Sequence, residues 1–192
     1  MANNWHGLAF NQVPHSANEI HGDKVAKDYG FKGGLVPGVT VSAYLCHPAV
    51  EQWGVAWLKG GAADIKVVSP LYDGESFVID ILESNAERYS ARLLRPDGTV
   101  SATAAVSLPA VGPAVPQRRG DVVADRDSPA PQATLENMQR LMQGGCQAVR
   151  FRWTAEHEMH TYLKDESQLP ELLQINAGGL ANTSFVLGCS NW

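Results

Sequence analysis

At Gly54 the chain changes its period. Before it, "GVTVSAYLCHPAVEQWG" is apolar almost throughout. That length and uniform apolarity predict a buried helix, although the β-branched residues at its start leave local propensity ambiguous. Pro48 has no N–H to donate, so it is expected to kink this helix or to start a new turn. After Gly54 the apolar residues alternate. Phe77, Ile79 and Ile81 form one row; Tyr89, Ala91 and Leu93 a second; Val100, Ala102, Ala104, Val106 and Leu108 a third. Such rows read as successive antiparallel strands with one buried face. "RPDGT" joins the last two, and Asp-Gly is a strong hairpin signal. "SPLYDGE" turns the chain before Phe77, "ADIKVVS" reads as an earlier strand with "VAWLK" as a further candidate, and "WHGLAFNQV" opens the set. One buried helix followed by a strand meander predicts an α+β architecture, a curved antiparallel sheet wrapped around a central helix.

The segment ahead of the helix is polar and glycine-rich. Asp23 is placed to cap a short helix ending at Tyr29, and Gly30, Gly33 and Gly34 stop it. Residues 1–111 thus read as one domain. Prolines and mixed charges mark a linker over 112–132. "TLENMQRLMQ" then reads as a helix capped by Thr134, with Leu135, Met138, Leu141 and Met142 on one face. Residues 133–192 repeat the opening grammar: a strand in "AVRFRWT", a short helix in "AEHEMHTYLKD", and "NAGGLANTSFVLGCSNW", which aligns with "FKGGLVPGVTVSAYLCH". No strand row follows to cover this second apolar helix. The expectation is a partial second unit, truncated at Trp192 or covered by a partner chain.

With 192 residues, 44% hydrophobic and 18% charged, the chain can bury a core of ordinary size. A net charge of -5 argues against a phosphate-backbone ligand, and the single basic pair, Arg118-Arg119, is followed by Asp121, Asp125 and Asp127. Neither a signal peptide nor a bilayer-spanning run is visible, which makes the cytoplasm the expected location. Cys46, Cys146 and Cys189 are too widely spaced for a redox pair or a disulfide framework.

The chemistry concentrates in "NEIHGDKVAKDYGFKGGLVPGVTVSAYLC". His21 can exchange a proton near neutral pH. It stands ahead of a glycine-lined helix start, where unpaired backbone N–H groups and partial positive charge can face a substrate carbonyl. Pro37 has no N–H, so Gly38 is the first donor and Val39 the next, with Gly34 in the bend before them. Ser16 and Asn18 could orient a water. "HEMH" at His157–His160 has i, i+3 spacing and lacks a third ligand, so no metal is expected.

These residues resemble the MaoC-like dehydratase group of the hotdog superfamily over about residues 11–108. Asn18, Ile20 and His21 match its Asn-Pro-x-His element, Ala26 its alanine, and "GFKGGLVPG" from Gly30 to Gly38 its glycine bend and helix start. "VVSPLYDGE" and "RLLRPDGTVSATAAVSLP" are similar to its later strand, turn and hairpin. The resemblance implies a hotdog fold followed by an incomplete second hotdog-like unit. It implies hydration of enoyl thioesters, or dehydration of 3-hydroxyacyl thioesters, of coenzyme A or a carrier protein. His21, Ser16 and Asn18 would be catalytic, and Gly38, Val39 and Gly34 would bind substrate. No cofactor is implied, and the implied partner is a homodimer or a second hotdog unit. Three positions depart from the pattern: Ser16 stands where the family has its aspartate, Glu19 where it has proline, and Pro37 where it has the histidine before the helix glycine. A serine cannot serve as a carboxylate base, so the expected hydration is weak. A thioesterase using Glu51 or Asp64, or a non-catalytic acyl-binding half, are the other readings of the residues.

Overall fold

The computed structural model describes residues 1–16, 19–112, 114, 122–123, 132, 134–144, 148–149 and 153–189. Asn18, Cys146 and the Arg118-Arg119 pair lie outside them.

The apolar run forms α2 (Gly38–Trp53), and it passes through Pro48 without a break. An interior proline costs an isolated helix about 3 kcal/mol. Here the surroundings outweigh that cost, because ten residues of α2 are buried and they point in all directions around the helix. Such a helix needs cover on more than one side.

A five-stranded sheet supplies the first side. β1 (Trp5–Leu8), β2 (Ala62–Val67), β3 (Ser76–Ser84), β4 (Arg88–Leu94) and β5 (Val100–Ser107) pair antiparallel in the order β1-β3-β4-β5-β2. The alternating rows fall into register: Ile79 opposite Leu93, Ala91 opposite Ala104, Tyr89 opposite Val106. Phe77, Ile79, Tyr89, Ala91, Leu93, Ala102, Ala104 and Val106 are buried in one core with α2, and Ile81 and Leu108 pack against it partly buried. "RPDGT" closes the β4–β5 hairpin, with Gly98 at φ 80° and the Arg95 N–H donating to the Thr99 carbonyl at 3.0 Å. Tyr89 crosses from sheet to helix and donates its hydroxyl to the Leu45 carbonyl at 2.6 Å.

"VAWLK" is not a strand. It forms α3 (Val55–Gly60), because Gly54, at φ 55°, reverses the chain at the end of α2 and Trp57 then turns back into the core. Asp23 does not cap α1 (Asp23–Asp28) either. Gly22 holds the cap position and Asp23 is the first helical residue.

The second cover for α2 comes from residues 153–189. Tyr162, Leu163, Leu169 and Leu173 are buried in the same core as the helix and sheet. Tyr162 is wholly buried, with its hydroxyl 2.9 Å from His47 Nδ1, and Trp5 stacks on His47 at 3.9 Å between centroids. His47 Nε2 lies 3.3 Å from Glu51 Oε1, near enough for charge attraction but not aligned as a hydrogen bond. The "AEHEMHTYLKD" stretch is a run of turns rather than a helix. Burying Thr161, Tyr162 and Leu163 consecutively is incompatible with a surface helix, which would bury one residue in three or four. Among the polar groups here, Gln12 bonds Thr161, Thr40 and Ser184 in a buried cluster.

Among its described residues, "NAGGLANTSFVLGCSNW" contributes one short α-helix, α5 (Thr183–Gly188), which packs on α2 and is capped by the Asn182 side chain accepting from the Phe185 N–H at 3.0 Å. α4 (Leu135–Gly144) forms where "TLENMQRLMQ" predicts it, with Thr134 Oγ1 accepting from the Asn137 N–H, and its Leu135 and Met142 are exposed. β6 (Val122–Val123) and β7 (Ala148–Val149) form a separate two-residue parallel pair. Among the described residues no helix is long and apolar enough to cross a membrane.

Candidate active site

The cleft at the start of α2 is built by two strips of chain buckled together. His21 ends a short 3-10 turn (Glu19–His21), and the glycine bend passes beside it. The Leu35 N–H donates to the Ile20 carbonyl at 3.1 Å, and the Gly34 N–H to Asp23 Oδ1 at 2.8 Å. Asn11, almost fully buried, donates its side-chain amide to the His21 carbonyl at 2.7 Å, while its own N–H goes to Asp73 Oδ1 at 2.8 Å. The strips touch so closely at Gly34 that a methyl there would overlap the His21 carbonyl oxygen. Gly34 is therefore a packing glycine. Its amide is committed to Asp23, which removes it from the set of substrate donors, and Asp23 serves the bend rather than the helix end.

This clamp fixes the imidazole. His21 Nδ1 lies 2.7 Å from the Leu35 carbonyl oxygen. A carbonyl only accepts, so Nδ1 carries the proton and donates it. In the neutral ring Nε2 then holds the lone pair, which makes it the basic atom.

Opposite stand the donors. Thr40 and Val41 both spend their N–H groups on the Pro37 carbonyl, at 2.9 and 3.0 Å. Gly38 and Val39, the first two residues of α2, come too early for an acceptor within the helix. A methyl at Gly38 would meet nothing within 4 Å. Glycine is not demanded there by packing, and its effect is to leave the helix mouth uncovered.

His21, Gly38 and Val39 line one cleft of ≈ 680 Å³, with a largely apolar wall that includes Phe31, Val67 and Leu71. Among the described residues that line it, His21 is the single titratable side chain and none is a carboxylate. Ser16 is not one of them; its N–H closes a turn onto the Val13 carbonyl at 3.1 Å. Glu51 and Asp64 do not line it either. Asp64 sits on β2, and Glu51 lies beside His47 on the far half of α2. His157 and His160 are not among the residues lining the cleft: His160 Nε2 lies 2.8 Å from Glu166 Oε1, and His157 packs edge-on to Phe185. Asn11, Leu35 and Asp73 escape the sequence reading, because two of them act through backbone contacts and the third lies 62 residues from its partner.

One long helix packs on a sheet ordered β1-β3-β4-β5-β2, with a glycine bend feeding the helix start. This is a hotdog fold. The hotdog sheet accounts for the position of the cleft, since the strand end at Val67 and the turn to Leu71 form its outer wall.

No family model and no curated protein matches the chain. Solved hotdog structures do. A MaoC-like dehydratase from Phytophthora capsici is 16% identical, with a TM-score of 0.47 over 55% of this chain and 41% of its own. The peroxisomal multifunctional enzyme type 2 from Drosophila melanogaster is 15% identical, with a TM-score of 0.48 over 56% and 22%. The (R)-hydratase of A. caviae involved in PHA biosynthesis is 13% identical, with a TM-score of 0.41 over 57% and 95%. The chain thus spans about two fifths of the first of these and about one fifth of the second.

Proposed function

We propose that the cleft binds an acyl thioester and hydrates its enoyl form, with His21 as the proton carrier. The observation that carries this reading is that a basic imidazole nitrogen and the two residues whose amides open the helix line one largely apolar cleft. The thioester carbonyl accepts from the Gly38 and Val39 N–H groups. His21 Nε2 takes a proton from water as the hydroxyl adds to C3 of the enoyl group. The negative charge that moves onto the thioester oxygen is held by the two amides. The imidazolium then returns the proton to C2, which leaves a 3-hydroxyacyl thioester and a neutral ring. Dehydration is the same path reversed. No cofactor enters; coenzyme A or a carrier protein supplies the thioester.

Glu51 and Asp64 lie outside the described lining of the cleft, which argues against thiolysis through either. That placement equally supports one second reading, a non-catalytic acyl-binding half. An assay with crotonyl-CoA separates them. Loss of enoyl absorbance without thiol release supports hydration, and His21→Ala is expected to reduce it at least about 100-fold, the usual weight of a general base. Acyl-CoA binding with no turnover supports the second reading.

We also propose that the chain pairs with another hotdog unit. β2 has β5 on one side and, among the described residues, no strand on the other, with Val67 and Val68 about half exposed along it. Such an edge is a pairing template.

A further inference from the structure

A second cavity adjoins the cleft. It encloses ≈ 730 Å³ between α2, α3, β2 and α5. Ser42 and Leu187 are walls common to both cavities. The wall of the second is apolar, with Cys46 from α2, Trp57 from α3, Ile65 from β2 and Val186 from α5, and among the described residues lining it Lys59 is the one that is charged. Its shape depends on Gly61: a methyl there would overlap the Trp57 ring, so the glycine lets the indole lie against the start of β2. The Cys46 thiol adds no charge, since burial pushes it up to about 12.

The two cavities follow one helix face. Gly38 lines the first, Ser42 both, and Cys46 the second. Residues four apart stack on the same side of a helix, so these three mark a straight track of about 12 Å along α2. A thioester carbonyl held at Gly38 must send its acyl chain somewhere. The route inward is closed by Val36, Val41 and Leu71, all buried in the core. The route along Ser42 leads past Leu187 into an apolar cavity that a four-carbon acyl group does not reach.

We infer that the second cavity receives the distal half of a linear acyl chain whose thioester sits in the His21 cleft, and that Leu187 is the partition that sets chain-length preference. This rests on the acyl-thioester reading above. Continuity with the cleft favours a chain of methylenes over a side chain from a second protein copy.

The test is a ladder of saturated acyl-CoAs with 4, 8, 12 and 16 carbons, titrated calorimetrically into the full chain below their micelle concentrations. Transferring a methylene from water to an apolar cavity is worth about three- to fourfold in affinity. Affinity is expected to climb at nearly that rate beyond 4 carbons and to level off once the cavity is full. Val186→Trp, at an exposed position lining the second cavity alone, is expected to erase the gain at 12 carbons while leaving 4-carbon binding and crotonyl-CoA hydration unchanged. Ala63→Trp, from the β2 side, provides an independent block. Leu187→Ala is expected to move the optimum to longer chains. Equal affinity along the ladder, or a long-chain gain that survives both tryptophans, overturns the inference, and crotonyl-CoA turnover in the same samples shows the cleft reading intact. Failure of every acyl-CoA to bind overturns both. A chain-length gain that disappears only on dilution of the protein, in step with dissociation of a dimer, assigns the cavity to a second copy and also overturns it.

Discussion

At the scale of single residues, the fold repeatedly uses polar side chains to tie distant segments together. Asn11 holds the His21 carbonyl, and Tyr162 reaches His47 at 2.9 Å. Burial raises the Tyr162 phenol well above its ordinary range, so it stays protonated at any working pH. Tyr162→Phe keeps the ring and loses one hydrogen bond; a destabilisation of about 1 kcal/mol is expected by chemical denaturation. Tyr162→Ala also leaves a cavity and is expected to cost about 3–5 kcal/mol. His157 provides a pH dependence. Its Nδ1 accepts the Met159 N–H at 3.0 Å, and burial depresses its pKa below the ordinary value near 6.5. The unfolded chain therefore binds the proton more tightly than the folded one. The stability His157 contributes is complete above about pH 6.5 and is lost as pH falls through that value toward the folded pKa. His157→Gln is expected to flatten the denaturation midpoint across that window.

At the scale of elements, two glycines that look equivalent in sequence do opposite things. Gly34 lies where the bend touches the His21 loop, and Gly38 opens α2 with free space around it. Gly34→Ala forces the strips apart and is expected to cost about 1–3 kcal/mol, with most of the crotonyl-CoA activity. Gly38→Ala keeps the amide and relieves a helix of glycine, so thermal stability should hold or rise slightly. A denaturation series on both variants checks the pair. The glycine bend was legible in the sequence because glycine marks sites where side chains do not fit. That Gly38 opens the helix as a donor was legible from Pro37 before it; that Gly34 is not a donor was not legible, because that depends on Asp23 reaching 11 residues along the chain to occupy its amide. The strand rows were legible from their period of two, and "VAWLK" was not, since five mostly apolar residues fit a strand or a helical turn and only the pocket for Trp57 decides.

At the scale of the whole molecule, residues 153–189 complete the core around α2 instead of standing apart from it. Each of Tyr162, Leu163, Leu169 and Leu173 is worth about 1.5–3 kcal/mol when fully buried. Together they match the entire net stability of a typical domain, about 5–15 kcal/mol. A chain ending at residue 111 is therefore expected to lose its cooperative melting transition and to bind a hydrophobic dye, which calorimetry and dye fluorescence can check. The open edge of β2 predicts association as well: light scattering should give a mass above that of one chain, and a lysine at Val68 should lower it.

The sequence by itself determined the periods: a buried helix, alternating strands, a hairpin at Asp97-Gly98, and a histidine ahead of a glycine-lined helix start. These are local properties, written in spacing and backbone freedom. Only the tertiary structure decided that β2 pairs with β5, that Tyr162 meets His47 across 115 residues, and that His21 shares a cleft with Gly38 but not with Ser16. Those outcomes depend on which apolar surfaces find each other once the chain closes, and no short stretch of sequence carries that information.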